Sequence, residues 1–232
     1  MKLIMTMEQL TLFDDLSLPL KCSVDDARNN LEKLKDLGLI VGTDEAGRGS
    51  LAGPVVAAAV YLTQEQEEIL LSMKLRDSKL ISHNRREKIF AKIQELGVLW
   101  RVAQGSPKLI DEKNILQASL ITMSNAVNKL SEKLSEAPYC VIVDGNKNIP
   151  DIKFSQWTLI QADKLIPVVS AASIVAKVLR DRLMINLAKK YPDYNLEKNK
   201  GYPTAFHINA VKEKGTSDIH RKTFCLKFLE RV

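Results

Sequence analysis

VGTDEAGRGSLAGPVVAAAV, residues 41–60, sets two adjacent acids and a Gly-Arg-Gly triplet between two apolar runs. LIVGTD (39–44) and VVAAAVYL (55–62) read as buried strands joined by a Gly-rich turn. After the helical segment SHNRREKIFAKIQELG comes VLWRVAQGS, a third strand candidate, so the first half predicts an antiparallel meander. A long helical pattern follows, with Ile115, Leu116, Leu120, Met123, Val127 and Leu130 at three-to-four spacing. It leads to CVIVDGN, an apolar strand that stops at Asp144, and then to WTLIQAD, a strand candidate ending in Asp163. SAASIVAKVLRDRLMINLAKKY is a helix whose Ala171, Ala172 and Ala176 permit close packing on a sheet.

Ahead of the strands, SVDDARNNLEKLKDLG offers Ser23 as a cap and Gly38 as a stop, a short helix that reads as peripheral. Beyond Pro192 the chain turns polar and basic, with the turn former KGYPT before a last helix. The expected organisation is an N-terminal extension over 1–38, a catalytic core over 39–190 and a basic substrate-clasping segment over 191–232. The 232 residues carry a net charge of +6, and from Lys177 onward 13 Lys plus Arg face 6 Asp plus Glu. The positive charge is therefore local to the C-terminal part, which favours a polyanionic partner. Three cysteines, an odd number without a C-x-x-C pair, suggest neither a disulfide framework nor a thiolate zinc site. No apolar run is long enough for a bilayer and the start lacks the apolar stretch of an export signal, so a cytoplasmic protein with no membrane partner is expected.

The strand endings bring Asp44, Asp144 and Asp163 toward one place, because ligands of open α/β sheets gather beyond strand ends. Glu45 joins them only if the pleat breaks between or just after the two acids, which Gly42 and Gly47 make easy. Clustered carboxylates repel one another unless a cation neutralises them, and an all-oxygen set implies Mg²⁺ or Mn²⁺. The matching chemistry is phosphodiester hydrolysis with two ions roughly 4 Å apart. Read locally, Asp44 and Asp144 are equally turn caps, and Gly47, Arg48 and Gly49 equally a hairpin turn or a backbone surface for a sugar or phosphate.

DEAGRGxLAGPVVAAAV, RDSKLIS, VDGN, SAASIVAKVLRD and KGYPTAFH, in this order, resemble the motifs of bacterial ribonuclease HII, over about residues 40 to 225. The resemblance implies a ribonuclease H-like α/β fold, a mixed five-stranded sheet flanked by helices, with a C-terminal helical extension. It implies an endoribonuclease that hydrolyses the RNA strand of RNA/DNA hybrids and cuts 5′ to single ribonucleotides in duplex DNA, leaving 3′-hydroxyl and 5′-phosphate ends. Carried over, Asp44, Glu45, Asp144 and Asp163 hold two Mn²⁺ or Mg²⁺ ions, Gly47, Arg48 and Gly49 contact the ribose 2′-hydroxyl, and Tyr202 senses the junction. Lys79, Lys177, Arg180 and Lys200 match or adjoin family positions that meet phosphate, and Ser170 and Ser173 add hydrogen bonds at a helix start. A monomer is expected, and no residue pattern carries a contact with a replication clamp.

The sequence departs from the family at Ser50, where proline is usual, at DSKLIS for DSKKLS, and at Gln161-Ala162-Asp163 for Lys-Gly-Asp, which puts the backbone beside Asp163 in question. Two rivals stand beside this reading. Ribonuclease HIII shares the chemistry but lacks Gly-Arg-Gly and carries a longer N-terminal domain. A non-catalytic hybrid-binding module would have lost a carboxylate.

Overall fold

The computed structural model describes residues 18–73, 75 and 82–229. Strands β1 (Ile40–Ala46), β2 (Val55–Tyr61), β3 (Leu99–Gly105), β4 (Cys140–Asp144) and β5 (Ser155–Leu159) form one five-stranded sheet in the order β3-β2-β1-β4-β5. The first three are the antiparallel meander, whereas β4 runs parallel to β1 and β5 parallel to β4. The helices in chain order are α1 (Val24–Lys35), α2 (Gln64–Ser72), α3 (His83–Glu95), α4 (Pro107–Ser131), α5 (Ala162–Leu165), α6 (Pro167–Lys190), α7 (Leu196–Asn199), α8 (Ala205–Lys214) and α9 (Lys222–Leu229). This is the mixed sheet flanked by helices, with a helical C-terminal part, that the motifs imply.

Strand alternation assigns the faces. Ile40, Ala58, Val60 and Ile142 pack on Val168, Val169, Ala171, Ala172 and Ala176 of α6. Val41, Ala57, Ala59, Val141 and Val143 meet Leu120, Met123, Val127 and Leu130 of α4. Gly42 lies so near α6 that an added Cβ would stand 2.7 Å from the backbone of Val168 and Val169. The small residues on both sides let this helix lie directly on β1, and that proximity places the site.

Three expectations change. Ser23 does cap α1, accepting from the Asp26 N–H, but the helix is not peripheral: Ala27, Leu31 and Leu34 are buried in the α6-side core. Trp157 Nε1 donates to the Pro19 carbonyl at 2.9 Å, tying the segment before α1 to β5. Nor is the C-terminal part separable, since Leu51, Ala52 and Met184 share one apolar cluster with Tyr194, Leu196, Ala210, Val211 and Cys225. Finally, β5 stops at Leu159, so Asp163 does not end a strand. Gln161 takes the left-handed conformation, φ 62° and ψ 33°, and turns the chain into α5, where Asp163 sits. Ala162 is helical and buried, so the missing glycine costs nothing there, and the demanding backbone falls one residue earlier.

Candidate active site

Asp44 and Asp144 occupy neighbouring positions on adjacent parallel strands, one residue past the Thr43–Val143 pair, which puts their Cα atoms about 5 Å apart. Both share the α6 face with Ile40 and Ile142. Asp44 is 5 % exposed. Burial, then the charges of Glu45, Asp144 and Asp163, hold its carboxyl well above the usual carboxylate range, and a hydrogen bond with Ser173 of α6 partly opposes them. Glu45 follows on a strand that stays regular through Ala46 and breaks only at Gly47, whose φ is +94°. Its Oε1 accepts from Arg48 Nη1 at 3.1 Å. Burial pushes its carboxyl up to about 7, Arg48 pulling down and Asp144 adding repulsion.

Asp44, Glu45, Gly47, Arg48, Gly49, Asp144, Ser173, Lys177 and Tyr202 line one cavity of about 410 Å³. Asp163 is fully buried behind it, close enough to Asp44 to raise its pKa. Lys177 bridges to Asp181 at 2.8 Å and lies 5.3 Å from the Tyr202 ring centroid. Lys200 is not among the lining residues; it turns back to the Glu197 carbonyl. Lys79 lies outside the described residues.

Two expected phosphate contacts are structural instead. The Ser170 hydroxyl is buried and donates to the Asp163 and Ile166 carbonyls, so it steadies the turn that carries Asp163. Arg180 is fully buried. It donates to the carbonyls of Pro54, Ala52 and Lys200 and to Ser50 Oγ, a set that leaves the guanidinium facing protein. Ser50, the departure from proline, thus serves as an acceptor in this clamp.

Arg221 completes the clamp, donating to the carbonyls of Gly53, Arg48 and Gly47 at 3.0, 2.8 and 2.7 Å. Burial first, and then the nearby Arg180 charge, bring its pKa down to about 9. A trans peptide points its C=O and N–H in opposite directions. With the Gly47 and Arg48 carbonyls drawn onto Arg221, the N–H groups of Arg48 and Gly49 turn the other way, and both residues line the cavity. Successive N–H groups of this kind form a concave site for an anion or a hydroxyl. The glycine at 47 is also a matter of space: a Cβ there would stand 1.9 Å from Arg180 Nε.

Arg86 of α3 also lines the cavity, and no sequence argument singled it out. The signal was present, because Arg86 shares a helix stripe with Ile89, Phe90 and Ile93, all buried. A cation on the apolar stripe of a helix is costly unless negative charge faces it, and here the carboxylates of the cavity supply that charge.

The four carboxylates suit a hard divalent cation. Every donor is oxygen, and Glu45 Oε2 is buried without a hydrogen-bond partner, a costly state unless a cation faces it. Among the described residues no three acids, histidines or cysteines converge closely enough to hold an ion by themselves. An ion of the Mg²⁺ type, which keeps several waters and shares its shell with substrate phosphate, does not need a closed cage.

A mixed sheet in the order β3-β2-β1-β4-β5, with acids meeting at the C-terminal ends of β1 and β4, is the arrangement of a nuclease of the ribonuclease H class. Residues 41–227 match the model of the family described as Ribonuclease HII. A Ribonuclease HII from Marinomonas sp. is 46 % identical over 186 residues, 80 % of this chain and 89 % of that one. The crystal structure of the ribonuclease H2 from Pyrococcus horikoshii superposes with a TM-score of 0.68 at 28 % identity, covering 83 % of this chain and 98 % of the other. Bst-RNase HIII in complex with Mn²⁺ shares the fold, with a TM-score of 0.65 at 17 % identity over 84 % of this chain and 71 % of its own. The chain belongs to the ribonuclease HII family, and it is a metal-dependent endoribonuclease.

Proposed function

We propose that the protein hydrolyses the RNA strand of RNA/DNA hybrids and incises 5′ to a single ribonucleotide embedded in duplex DNA, leaving 3′-hydroxyl and 5′-phosphate ends. The observation that carries this reading is the clamped Gly47–Gly49 turn. Its Gly47 and Arg48 carbonyls are held by Arg221, which turns the opposite N–H groups away from Arg221, and Arg48, Gly49 and Tyr202 all line the cavity that the carboxylates line. The 2′-hydroxyl is the group that separates RNA from DNA, and it both donates and accepts. Rigid backbone groups aimed at it penalise a deoxyribose, because they are left unpaired once the duplex closes over them.

Asp44, Glu45, Asp144 and Asp163 would hold two divalent ions, Mg²⁺ or Mn²⁺, which when bound supply Lewis-acid charge at the scissile phosphate. Ser173 orients Asp44 for this task. Lys177 and Arg86 bring positive charge to the cavity wall, where it attracts the phosphate backbone. Arg48 partly offsets the charge of Glu45 and holds it in place. Tyr202, its ring flanked by Lys177 and Arg180, offers a flat surface to the sugar next to the ribonucleotide.

The test is a set of end-labelled duplexes with no ribonucleotide, one, or a run of them, incubated with Mg²⁺, Mn²⁺ or chelator and mapped to the nucleotide. The expected result is ion-dependent cutting of the run and a single cut 5′ to the lone ribonucleotide, with all-DNA intact. Cutting of the run alone would reject the single-site part of the reading, and cutting of all-DNA would reject 2′-hydroxyl recognition.

A further inference from the structure

Beside Tyr202, two buried histidines meet edge to edge. His207 in the first turn of α8 and His220 just ahead of α9 are 0 % and 2 % exposed, and their Nε2 atoms are 3.1 Å apart. His207 Nδ1 lies 3.0 Å from the Tyr202 carbonyl oxygen. A carbonyl only accepts, so His207 carries its proton on Nδ1 and presents a lone pair at Nε2. At the far end the backbone N–H of Ser217 donates to His220 Nδ1 at 3.1 Å, and the Ser217 hydroxyl lies 2.9 Å from the same atom. An N–H only donates, so His220 carries its proton on Nε2 and gives it to His207. Ser217, His220, His207 and the Tyr202 carbonyl thus form a chain of hydrogen bonds with one direction.

The chain holds only while both rings are neutral, because a second proton on His207 would set two N–H groups against each other between the rings, and one on His220 Nδ1 would face the Ser217 N–H, each across 3.1 Å. The surroundings favour neutrality. The Tyr194 ring packs edgewise on His220 with centroids 4.5 Å apart, and on His207 at 6.1 Å. The neighbouring Arg221 turns its guanidinium to the glycine loop. Asp218, the acid whose charge reaches His220, is exposed and engaged by the Tyr191 hydroxyl. Burial lowers the pKa of both rings, and with the added influence of His207 that of His220 falls to about 4. The stability this gives is fully present above the ordinary value of 6.5 and is lost as pH falls toward 4.

We propose that His207 and His220 are positioning residues for Tyr202: a neutral, directional imidazole relay fixes the carbonyl of residue 202, and with it the ring that reads the sugar. The inference rests on the proposed role of Tyr202 at the junction. The same carbonyl also accepts from the Thr204 N–H at 2.8 Å, and the Tyr202 N–H donates to the Asn199 carbonyl at 2.9 Å. The Gly201 carbonyl, on the other side of residue 202, accepts from the Leu51 and Ala52 N–H groups at 2.7 and 3.3 Å, and the relay ties the Tyr202 carbonyl to the segment ahead of α9.

The sequence holds three histidines, and the exposed His83 serves as an internal reference, so ¹⁵N NMR of the imidazoles in the whole protein is decisive. At pH 7 the expected spectrum shows His207 as the Nδ1–H tautomer and His220 as the Nε2–H tautomer. The opposite tautomer at either ring, or a charged ring, overturns the relay. The functional arm compares His207→Asn, whose amide can replace the Nδ1–H, with His207→Phe, which fills the space without a donor. His207→Phe should lower kcat/KM at a single embedded ribonucleotide about tenfold or more, as small misplacements of a substrate-positioning group do. It should lower kcat/KM on a continuous hybrid much less, and His207→Asn should recover most of the loss. Equal loss on both substrates, or no loss, rejects the positioning role. Tyr202→Ala separates the two ideas. If it loses single-site selectivity and His207→Phe does not, only the relay falls; if it spares selectivity, the reading of Tyr202 falls and the relay's role falls with it.

Discussion

The Ser50 hydroxyl accepts from Arg180 Nη2 at 2.8 Å inside a fully buried site, and the alternative acceptor for that nitrogen, the Ala52 carbonyl, is at 3.3 Å. Ser50→Ala leaves a buried guanidinium short of an acceptor, which should cost about 1–3 kcal/mol of stability. It should also loosen the turn at Gly47–Gly49, so kcat/KM at a single ribonucleotide should fall with it. Urea midpoints and steady-state cleavage check both. An unchanged midpoint would show that the Ala52 carbonyl alone satisfies Arg180. The family resemblance placed Arg180 among the phosphate contacts, because it matches or adjoins family positions that meet phosphate. What reverses the assignment is the row of carbonyls between residues 47 and 54, and carbonyl direction leaves no trace in side-chain identity.

At the scale of elements, the site exists because α6 lies against β1. Gly42 and Asp44 alternate onto the same face of β1, and the first turn of α6 covers Gly42 while Ser173, one turn on, reaches Asp44. Gly42→Ala would place a methyl 2.7 Å from the α6 backbone, and the helix would have to retreat. The expected cost is about 1–3 kcal/mol of overpacking, together with lower activity at saturating metal as Ser173 draws away from Asp44. Equal stability by denaturant titration would mean that the two elements have slack the geometry does not show. The elements themselves were largely legible. The short apolar runs of β1 and β2 bounded by a Gly-rich turn, the three-to-four spacing from Ile115 to Leu130 and the small residues of α6 were each enough to place an element. The gathering of Asp44 and Asp144 followed from reading both as strand ends, although β1 runs on two residues past Asp44 to Ala46 and Glu45 reaches the cavity from within that strand. Asp163 was placed at a strand end because WTLIQAD reads straight through, whereas a single left-handed residue, Gln161, turns the chain two residues earlier. The reach of α1 into the core was equally hidden, since an amphipathic pattern shows that a helix face is covered but not what covers it.

Across the whole molecule, the positive charge of the C-terminal part divides in two. Arg180 and Arg221 are buried and hold the glycine turn, which leaves the exposed lysines to attract a polyanion and makes removal of residues 191–232 a folding defect rather than a test of binding. The acids present the opposite problem. Without ions, the fold confines carboxylates that repel one another, and Glu45 retains its proton to about pH 7 although its ordinary value is 4.5. A raised carboxylate pKa adds stability below the unfolded value and loses it as pH climbs through the folded one, because the unfolded chain releases the proton first. The metal-free protein should therefore lose stability from this group between about pH 4.5 and 7. Divalent ions bind the ionised form, so they restore what deprotonation removed, and their stabilising effect should grow with pH. Saturating Mn²⁺ or Mg²⁺ should raise Tm by several degrees, each kcal/mol of binding free energy being worth about 2–4 °C for a chain of this length. The gain should be larger at pH 8 than at pH 6 and should vanish with chelator. Differential scanning calorimetry at the two pH values, with ion and with chelator, measures this directly. A gain that is absent, or larger at pH 6, would show that the carboxylates do not hold the ions in the ionised form the geometry calls for.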